Sequence, residues 1–518
     1  MLAAPLLAAL LVSLSQLLGW HGVDYAAQIY RVDSFRAHGL PLWDFQWYGG
    51  NWTLDYSTLF PPMAAFFGVT VVTVLAAAGA ALAFDRLAVP HFGRPGRVAS
   101  LVFAAGTVVQ ASIGQLPFLS GEAIGLLACW AASRGRWVVA SVLALASTLS
   151  SPLAGAFIVI VLAAWILSRW RAVGHDWSML QTAIAIAAAG APVAVTAILF
   201  PGAGAMPYPF VDFVWEVLIA GGLWLAATRN EPVIRCGLVV YAAAATFAFA
   251  VPSPIGGNIG RLGDVLALPL AVALLLPRWR VLLPLAAVPL ALSQWSPAWG
   301  AMTSAPSQPS THKSYFTPIV AALERFSAGG PAGRVEVVPT EYHWEAAYVA
   351  PVMPLARGWE RQLDVVDNPI FYRSGALDAD AYGSWLLANG VTFVALPDAP
   401  LDSAGQAEAK LVSSGTVPGL ELIWRSAHWR LYEVAGSQGI VDGPARLVSA
   451  TGGQVVVDAP RPGSVLVRIR YSPDWTLAAG TGCVSRADES WISVDVPLPE
   501  QFRLTLSLFG GDQDGCES

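Results

Sequence analysis

The sequence predicts a polytopic α-helical membrane bundle of about eleven helices, followed by an external α/β domain and a small external β-sandwich. Three observations carry that reading. Hydrophobic residues make up 55% of the 518 and charged residues 12%, about half the charged share of an ordinary soluble domain. Mean hydropathy is +0.55, so water is not the only solvent. Charge is also divided: residues 1–296 hold 14 Arg, no Lys and 11 Asp or Glu, net +3, and residues 297–518 carry net −9. A fully soluble enzyme, a disordered chain and a nucleic-acid binder are excluded. The overall charge of −6 describes neither half.

A spanning helix needs about 20 mostly apolar residues. Such segments lie near 2–19, 57–83, 98–113, 121–133, 138–149, 153–168, 179–200, 211–228, 236–252, 265–276 and 281–296. The first lacks a basic leader and a cleavage site, and reads as a retained helix rather than a signal peptide. Arginines in short loops favour the cytoplasm. With the N-terminus inside, eleven arginines (Arg86, Arg94, Arg97, Arg134, Arg136, Arg169, Arg171, Arg229, Arg235, Arg278 and Arg280) face the cytoplasm, and three (Arg31, Arg36 and Arg261) face outward. This places residues 1–300 in the cytoplasmic membrane, with a long first external loop (20–56), and everything after them outside.

A Ser- and Pro-rich stretch, 303–312, reads as a linker. Helices near 315–326, 378–389 and 403–413 then alternate with strands near 334–338, 391–396, 420–424 and 428–434, predicting an α/β domain over 312–437. Short strands alone, near 454–457, 464–471, 491–496 and 502–508, predict a β-sandwich over 440–518. Cys129 and Cys236 read as small apolar residues of the membrane half. Cys483 and Cys516 lie in the external part, where a disulfide can persist.

Polar groups held near lipid are expensive and therefore informative. They gather on the predicted external side. After His21, the run Asp24, Gln28 and Arg31 shares one helical face, predicting an interfacial helix with a polar edge; a plain solvated surface helix is the alternative. The loop continues through Trp43, Asp44, Trp47, Trp52 and Asp55. Rings interleaved with carboxylates suit a sugar cleft, as apolar sugar faces stack on rings while hydroxyls need fixed partners. An interfacial aromatic belt is the alternative, although belts need no Asp. Glu122 stands at a helix start, where it either joins a site or complements the helix dipole. Arg261 and Asp264 follow the glycine-rich run 254–260. Arg261 either grips a lipid phosphate or pairs with Asp264 one helical turn away. In the external half, Trp344 of Tyr342-His343-Trp344-Glu345 is either core or a glycan contact.

The fragments Val23-Asp24-Tyr25 through Arg31, Tyr56 through Pro62 and Ser151 through Gly155 resemble the GT-C superfamily of integral membrane glycosyltransferases. Within it they look most like the bacterial membrane family labelled 6-pyruvoyl-tetrahydropterin synthase-related. The resemblance covers mainly residues 1–300 and rests on short motifs. It implies a GT-C-like bundle, a polyprenyl-phosphate-linked sugar donor and an extracytoplasmic glycan or glycolipid acceptor, with membrane lipid around the protein. Asp24 matches the acidic residue of the first external loop that acts as catalytic base there. Asp44 and Asp55 are loose matches to a second acidic residue. No clean Asp-x-Asp motif is present, which leaves open whether a divalent metal is used. On this reading Arg261 binds donor phosphate, and His21, Asp44, Trp52, Asp55 and Glu122 contact substrate. The alternatives are a transporter or flippase of a lipid-linked envelope intermediate, and a non-catalytic envelope assembly protein.

Overall fold

The computed structural model describes residues 2–169, 177–202, 204–488 and 490–508. The chain divides into two compact units, Met1–Gln28 with Asp55–Ser307, and Ile29–Leu54 with Gln308–Ser518. The first loop, 20–56, expected to belong whole to the membrane half, is thus shared, and its middle is built into the second unit.

The helical unit opens with α1 (Ala3–Leu17); α2 (Tyr25–His38) contains the point of division, and the strands β1 (Trp43–Asp44) and β2 (Asn51–Trp52) belong to the second unit. The helical unit resumes with α3 (Phe60–Phe67) and α4 (Val69–Phe92), which the sequence predicts as one segment; Gly68, at φ +88°, breaks it. Then follow α5 (Arg94–Ile113), α6 (Leu116–Ser133), α7 (Trp137–Ser150), α8 (Pro152–Arg169), α9 (Trp177–Leu199), α10 (Phe210–Ala226), α11 (Pro232–Ala250), α12 (Arg261–Leu275), α13 (Leu283–Trp295) and the short α14 (Trp299–Thr303). Proline opens α5, α6, α11 and α13 within their first two positions, where its missing N–H has no helical partner to lose.

Among the described residues, seven helices are long and apolar enough to cross a membrane, where the sequence predicts about eleven. The other four predicted segments form α1, α7, α10 and α13, of 15, 14, 17 and 13 residues. At about 1.5 Å per residue these fall short of a hydrocarbon core about 30 Å thick. Contact between α1, α4 and α5 runs through alanine: Ala8, Ala77, Ala80, Ala81, Ala104 and Ala111 are fully buried, and small side chains let helix backbones approach where lipid supplies no hydrophobic drive. The expected linker at 303–312 is not extended. It coils into short 3-10 turns, Ala305–Ser307 and Pro309–Thr311, with Ala305 and Ser310 buried.

In the second unit, α15 (Lys313–Ser327), β3 (Arg334–Val337), α16 (Glu345–Tyr348), α17 (Arg361–Asp367), α18 (Ala379–Ala388), β4 (Val391–Pro397), α19 (Gln406–Ser414), β5 (Leu420–Arg425) and β6 (Trp429–Val434) form an α/β arrangement. Its sheet runs β3-β4-β6-β5, with β3 parallel to β4 and the other pairs antiparallel. Next come β7 (Val441–Asp442), β8 (Arg446–Thr451), β9 (Gln454–Ala459), β10 (Gly463–Arg470), β11 (Trp475–Ala479), β12 (Cys483–Ala487), β13 (Trp491–Val496) and β14 (Glu500–Leu506). They make two four-stranded antiparallel sheets, β12-β13-β10-β7 and β11-β14-β9-β8. Alternate residues face inward, as in β9, where Val455, Val457 and Ala459 are buried. Cys483 is disulfide-bonded, and Cys516 lies outside the described residues.

A charge network ties the α/β part together. Buried Arg357 pairs with Glu336 at 2.8 Å and with Glu408, and stands 3.7 Å from Asp364. Beside it, His343 holds a left-handed φ of +54° between Glu345 at 3.3 Å and Asp402 at 3.5 Å. Burial alone would lower the imidazole, but hydrogen bonds to Asp402 and Glu345 and their charges carry its pKa up to about 9. A raised basic group stabilises fully below its ordinary pKa and loses that contribution as pH rises through the folded value. The unfolding midpoint of the protein should therefore fall between pH 6.5 and about 9. His343→Asn, which removes the titration but tolerates positive φ, should flatten that slope in thermal unfolding. Equal slopes in the two proteins would show that His343 is not the titrating group.

Candidate functional site

The strongest site geometry in the helical unit lies where the C-terminal ends of α5 and α13 meet the N-terminal ends of α6 and α12. A pocket of about 50 Å³ is lined there by Gln110, Gln115, Glu122, Arg261, Asp264 and Gln294, with apolar neighbours that include Ile113 and Val265. Gln110 Nε2 donates to Glu122 at 2.6 Å, and the other Glu122 oxygen is buried without a partner. Gly106 makes room: a Cβ there would come within 2.5 Å of the Gln294 amide nitrogen.

Arg261 does not sit in a loose external loop, as its glycine-rich approach suggests. The run Gly256–Gly260 is a 3-10 turn, and Arg261 is the first residue of α12. Its guanidinium lies 5.8 Å from the Phe118 ring. Among the described residues it has no carboxylate within ion-pair distance, so the expected alternative, an Arg261–Asp264 pair, is not formed. A cation left unpaired beside an apolar interior is the arrangement that an anionic ligand completes.

A second, apolar groove of about 60 Å³ shares Glu122 and Val265 with this pocket. It runs along one face of α6 through Phe118, Leu126 and Cys129, with α8 and α12 as its walls. Between Phe118 and Cys129 a helix rises about 16 Å, roughly half the depth of a hydrocarbon core.

Asp24 does not line the pocket but is held at its edge through the backbone. Its N–H donates to the carbonyl of Ile113, a lining residue, at 2.9 Å, and the N–H of Gly22 donates to Ser112 at 2.7 Å. Gly114, at φ +99°, permits this approach; a Cβ there would collide with the backbone of Asp24 and Tyr25. His21 stacks on Tyr25 with ring centroids 4.0 Å apart. Asp55 lies half-buried in the turn before α3.

Asp44 and Trp52 belong to the second unit. Both Asp44 oxygens accept from the Tyr30 hydroxyl at 2.8 and 2.9 Å, and one also accepts from the Gln46 N–H. Burial raises the Asp44 carboxyl above its ordinary range. Trp52 is buried edge-on against Trp43 at 4.9 Å. Both serve the local fold rather than an open sugar cleft. Nor is α2 an interfacial helix with a polar edge: Gln28 is buried and Arg31 pairs with Glu360. Trp344 is core, stacked on Tyr348 at 5.2 Å.

Sequence reasoning missed Gln110 and Gln294. Their signal was present, since each is a polar side chain inside an otherwise apolar helix. Among the described residues, no group of three or more His, Cys, Asp or Glu side chains converges to hold a metal ion, so no step is assigned to one. No protein-family model and no curated protein matches the chain.

Gly114→Ala should lower stability by at least about 2 kcal/mol, since a left-handed φ alone costs about 1–2 kcal/mol for a residue with a Cβ. Gly79→Ala in α4, where a Cβ meets only the Ala123 methyl at 3.9 Å, should be neutral or stabilising. Thermal unfolding of the purified protein checks both, and matching losses in the two variants would refute the close approach at Asp24.

Proposed function

We propose that the chain is a glycosyltransferase of the cytoplasmic membrane, moving a sugar from a polyprenyl-phosphate donor to an extracytoplasmic glycan or lipid. The observation that carries this reading is Arg261, with no carboxylate within ion-pair distance, in a polar pocket that shares Glu122 and Val265 with an apolar groove. A lipid phosphate needs both features at once: a guanidinium for its charge and an apolar channel for its chain. In this reaction the acceptor hydroxyl oxygen bonds to the anomeric carbon. The bond from that carbon to the phosphate oxygen breaks, and the phosphate departs with the electron pair. A carboxylate takes the hydroxyl proton, and Arg261 stabilises the charge growing on the phosphate. Such a single displacement inverts the anomeric centre. Asp24 is the assigned base, on its resemblance to the GT-C pattern. Glu122 is the carboxylate of the pocket itself and the direct competitor for that role.

A transporter or flippase has one observation in its favour, a buried carboxylate within the bundle. Glu216 of α10 accepts from the Tyr241 hydroxyl, in space left by Gly260 and Gly263. That pair is locked in packing rather than exposed along an open path, so the transferase reading is preferred. Scrambling of a labelled polyprenyl-phosphate sugar by proteoliposomes tests the alternative.

With such a donor, Asp24→Asn should lower turnover at least about 100-fold and leave donor binding largely intact. Arg261→Ala should weaken binding and turnover together, by about 10- to 100-fold, the value of a charge-assisted contact. Near-normal turnover in Asp24→Asn rejects Asp24, and loss in Glu122→Gln would then move the base there.

The proposed orientation, N-terminus inside and C-terminal half outside, rests on the arginine distribution. Reporter fusions after residue 300 and within 169–178 should report opposite sides of the membrane. Finding both on one side rejects the orientation.

A further inference from the structure

The end of the helical unit away from Arg261 gathers three turns, α4–α5, α10–α11 and α12–α13. Phe92 of the first and Leu283 of the third pack with Leu276 against Ala99, Val272 and Ala273. The same two side chains pack with Ile234 against a cluster that includes Ala226, Ala227 and Leu275, which closes the second turn onto the other two. The segments 85–97, 228–235 and 276–282 hold seven arginines against two carboxylates, Asp85 and Glu231. Glu231 is already engaged: it stands 3.7 Å from Arg278 and accepts from the Thr228 N–H at 2.6 Å. Arg235 lies 3.8 Å from the Trp224 ring and donates to the Ala227 carbonyl at 2.9 Å. Arg94, Arg97, Arg229 and Arg280 are exposed. Among the described residues none of these four has a carboxylate within ion-pair distance.

We propose that these converging turns hold the headgroup of an anionic phospholipid, with its phosphate on Arg229 and Arg280 and its chains against Trp279, Val281 and Leu282. The contact between Arg278 and Glu231 brings the two arginine-bearing turns together. Charge and apolar surface stand side by side here: directly beside Arg280, Trp279, Val281 and Leu282 are exposed, Val281 at 85%. That mixture selects the partner. An acidic protein segment or a nucleic acid would answer the arginines and leave the three apolar side chains in water, whereas a lipid answers both. A guanidinium fork matches phosphate oxygens, an indole settles at headgroup level, and basic sites between helix ends suit anionic headgroups. Helix length points the same way. The 15 residues of α12 rise about 22 Å, against a hydrocarbon core about 30 Å thick. With Arg261 at one end and Arg278 and Arg280 just past the other, a bilayer meets the shortfall by thinning, which brings phosphates toward the guanidiniums.

This lipid is separate from the proposed donor, since Arg261 opens α12 and these turns follow its other end; the site holds whether or not the chain is a transferase. The test uses the full chain, purified in detergent and stripped of lipid. Phosphatidylglycerol, cardiolipin and phosphatidylcholine of matched chains are added in turn, and native mass spectrometry reads the bound fraction. Both anionic lipids should bind at least about tenfold tighter than phosphatidylcholine. Arg229→Gln combined with Arg280→Gln should abolish most of that preference, and Trp279→Ala should weaken both anionic lipids several-fold. Arg278 is left in place because of its contact with Glu231, and thermal unfolding of the lipid-free variants checks that they are folded. Arg134→Gln combined with Arg136→Gln, in the exposed α6–α7 turn, should change the preference less than twofold. Inorganic phosphate at millimolar concentration should not displace the lipid, having no chains. Equal affinity for the three lipids overturns the proposal. So does an equal loss in the two arginine pairs, which would show diffuse attraction to basic turns, or displacement by inorganic phosphate, which would show a site for a free anion.

Discussion

The interaction on which much of the architecture depends is the partly buried ion pair between Arg31 and Glu360. It joins the first loop to a residue 329 positions later. Around it the Tyr48 hydroxyl donates to the Glu360 carbonyl at 3.0 Å, and Arg470 Nε donates to the Tyr48 carbonyl at 2.9 Å. The Leu355 N–H adds a bond to the Gln46 carbonyl at 2.8 Å. Removing one partner of such a pair leaves a buried charge uncompensated, at about 3–5 kcal/mol. These bonds hold Ile29–Leu54 inside the second unit, although the chain on both sides of it belongs to the first. Asp24 and Asp55 therefore stand just outside a segment anchored along its whole length.

That interleaving explains what was legible in the sequence. Hydrophobic runs located the helices of the first half because lipid forces every backbone polar group to bond internally. Period-two alternation marks the half-buried strands β9, β10 and β13, and a continuous apolar run marks the fully buried β4. Exposed β8 and two-residue β7 carried no such signal. Asp44 and Trp52 read as part of a sugar cleft because rings and carboxylates interleave in their loop. Their real neighbours, Tyr30 and Trp43, lie in the same loop, but what fixes that loop is Glu360 and Arg470. Pairings of such sequence separation leave no local pattern. Gln110, Gln294 and Glu122 were in reach, being polar groups in apolar helices; that they converge required the packing of four helix ends.

The helical unit has little polar material, which makes its placement decisive. Alanine and glycine bring α1, α4 and α5 together, and Gly106 and Gly114 leave room for the Gln294 amide and for the backbone of Asp24. Small residues thus do two jobs here, close packing and space for the few polar groups. An arginine at such a place is costly when unpaired. Asp264, one turn along the same helix, lines the same pocket without pairing with Arg261. The side chains are set apart around a space rather than closed upon each other, as expected where a third charged group completes the arrangement.

The two charge clusters, at Arg261 and at Arg357, consequently differ in physical kind. Arg261 has no carboxylate within ion-pair distance although Glu122 and Asp264 line the same pocket, and the apolar groove beside it lowers the local dielectric. At Arg357 nearly every charge is answered within the unit, and what remains is hydrogen-bonding capacity in a fixed geometry. Attraction of the first kind selects an anion attached to a chain and tolerates variation in what the anion carries. The separation of charge apparent in the composition, sparse and basic in the first half and dense and acidic in the second, is the same division at the scale of the whole chain.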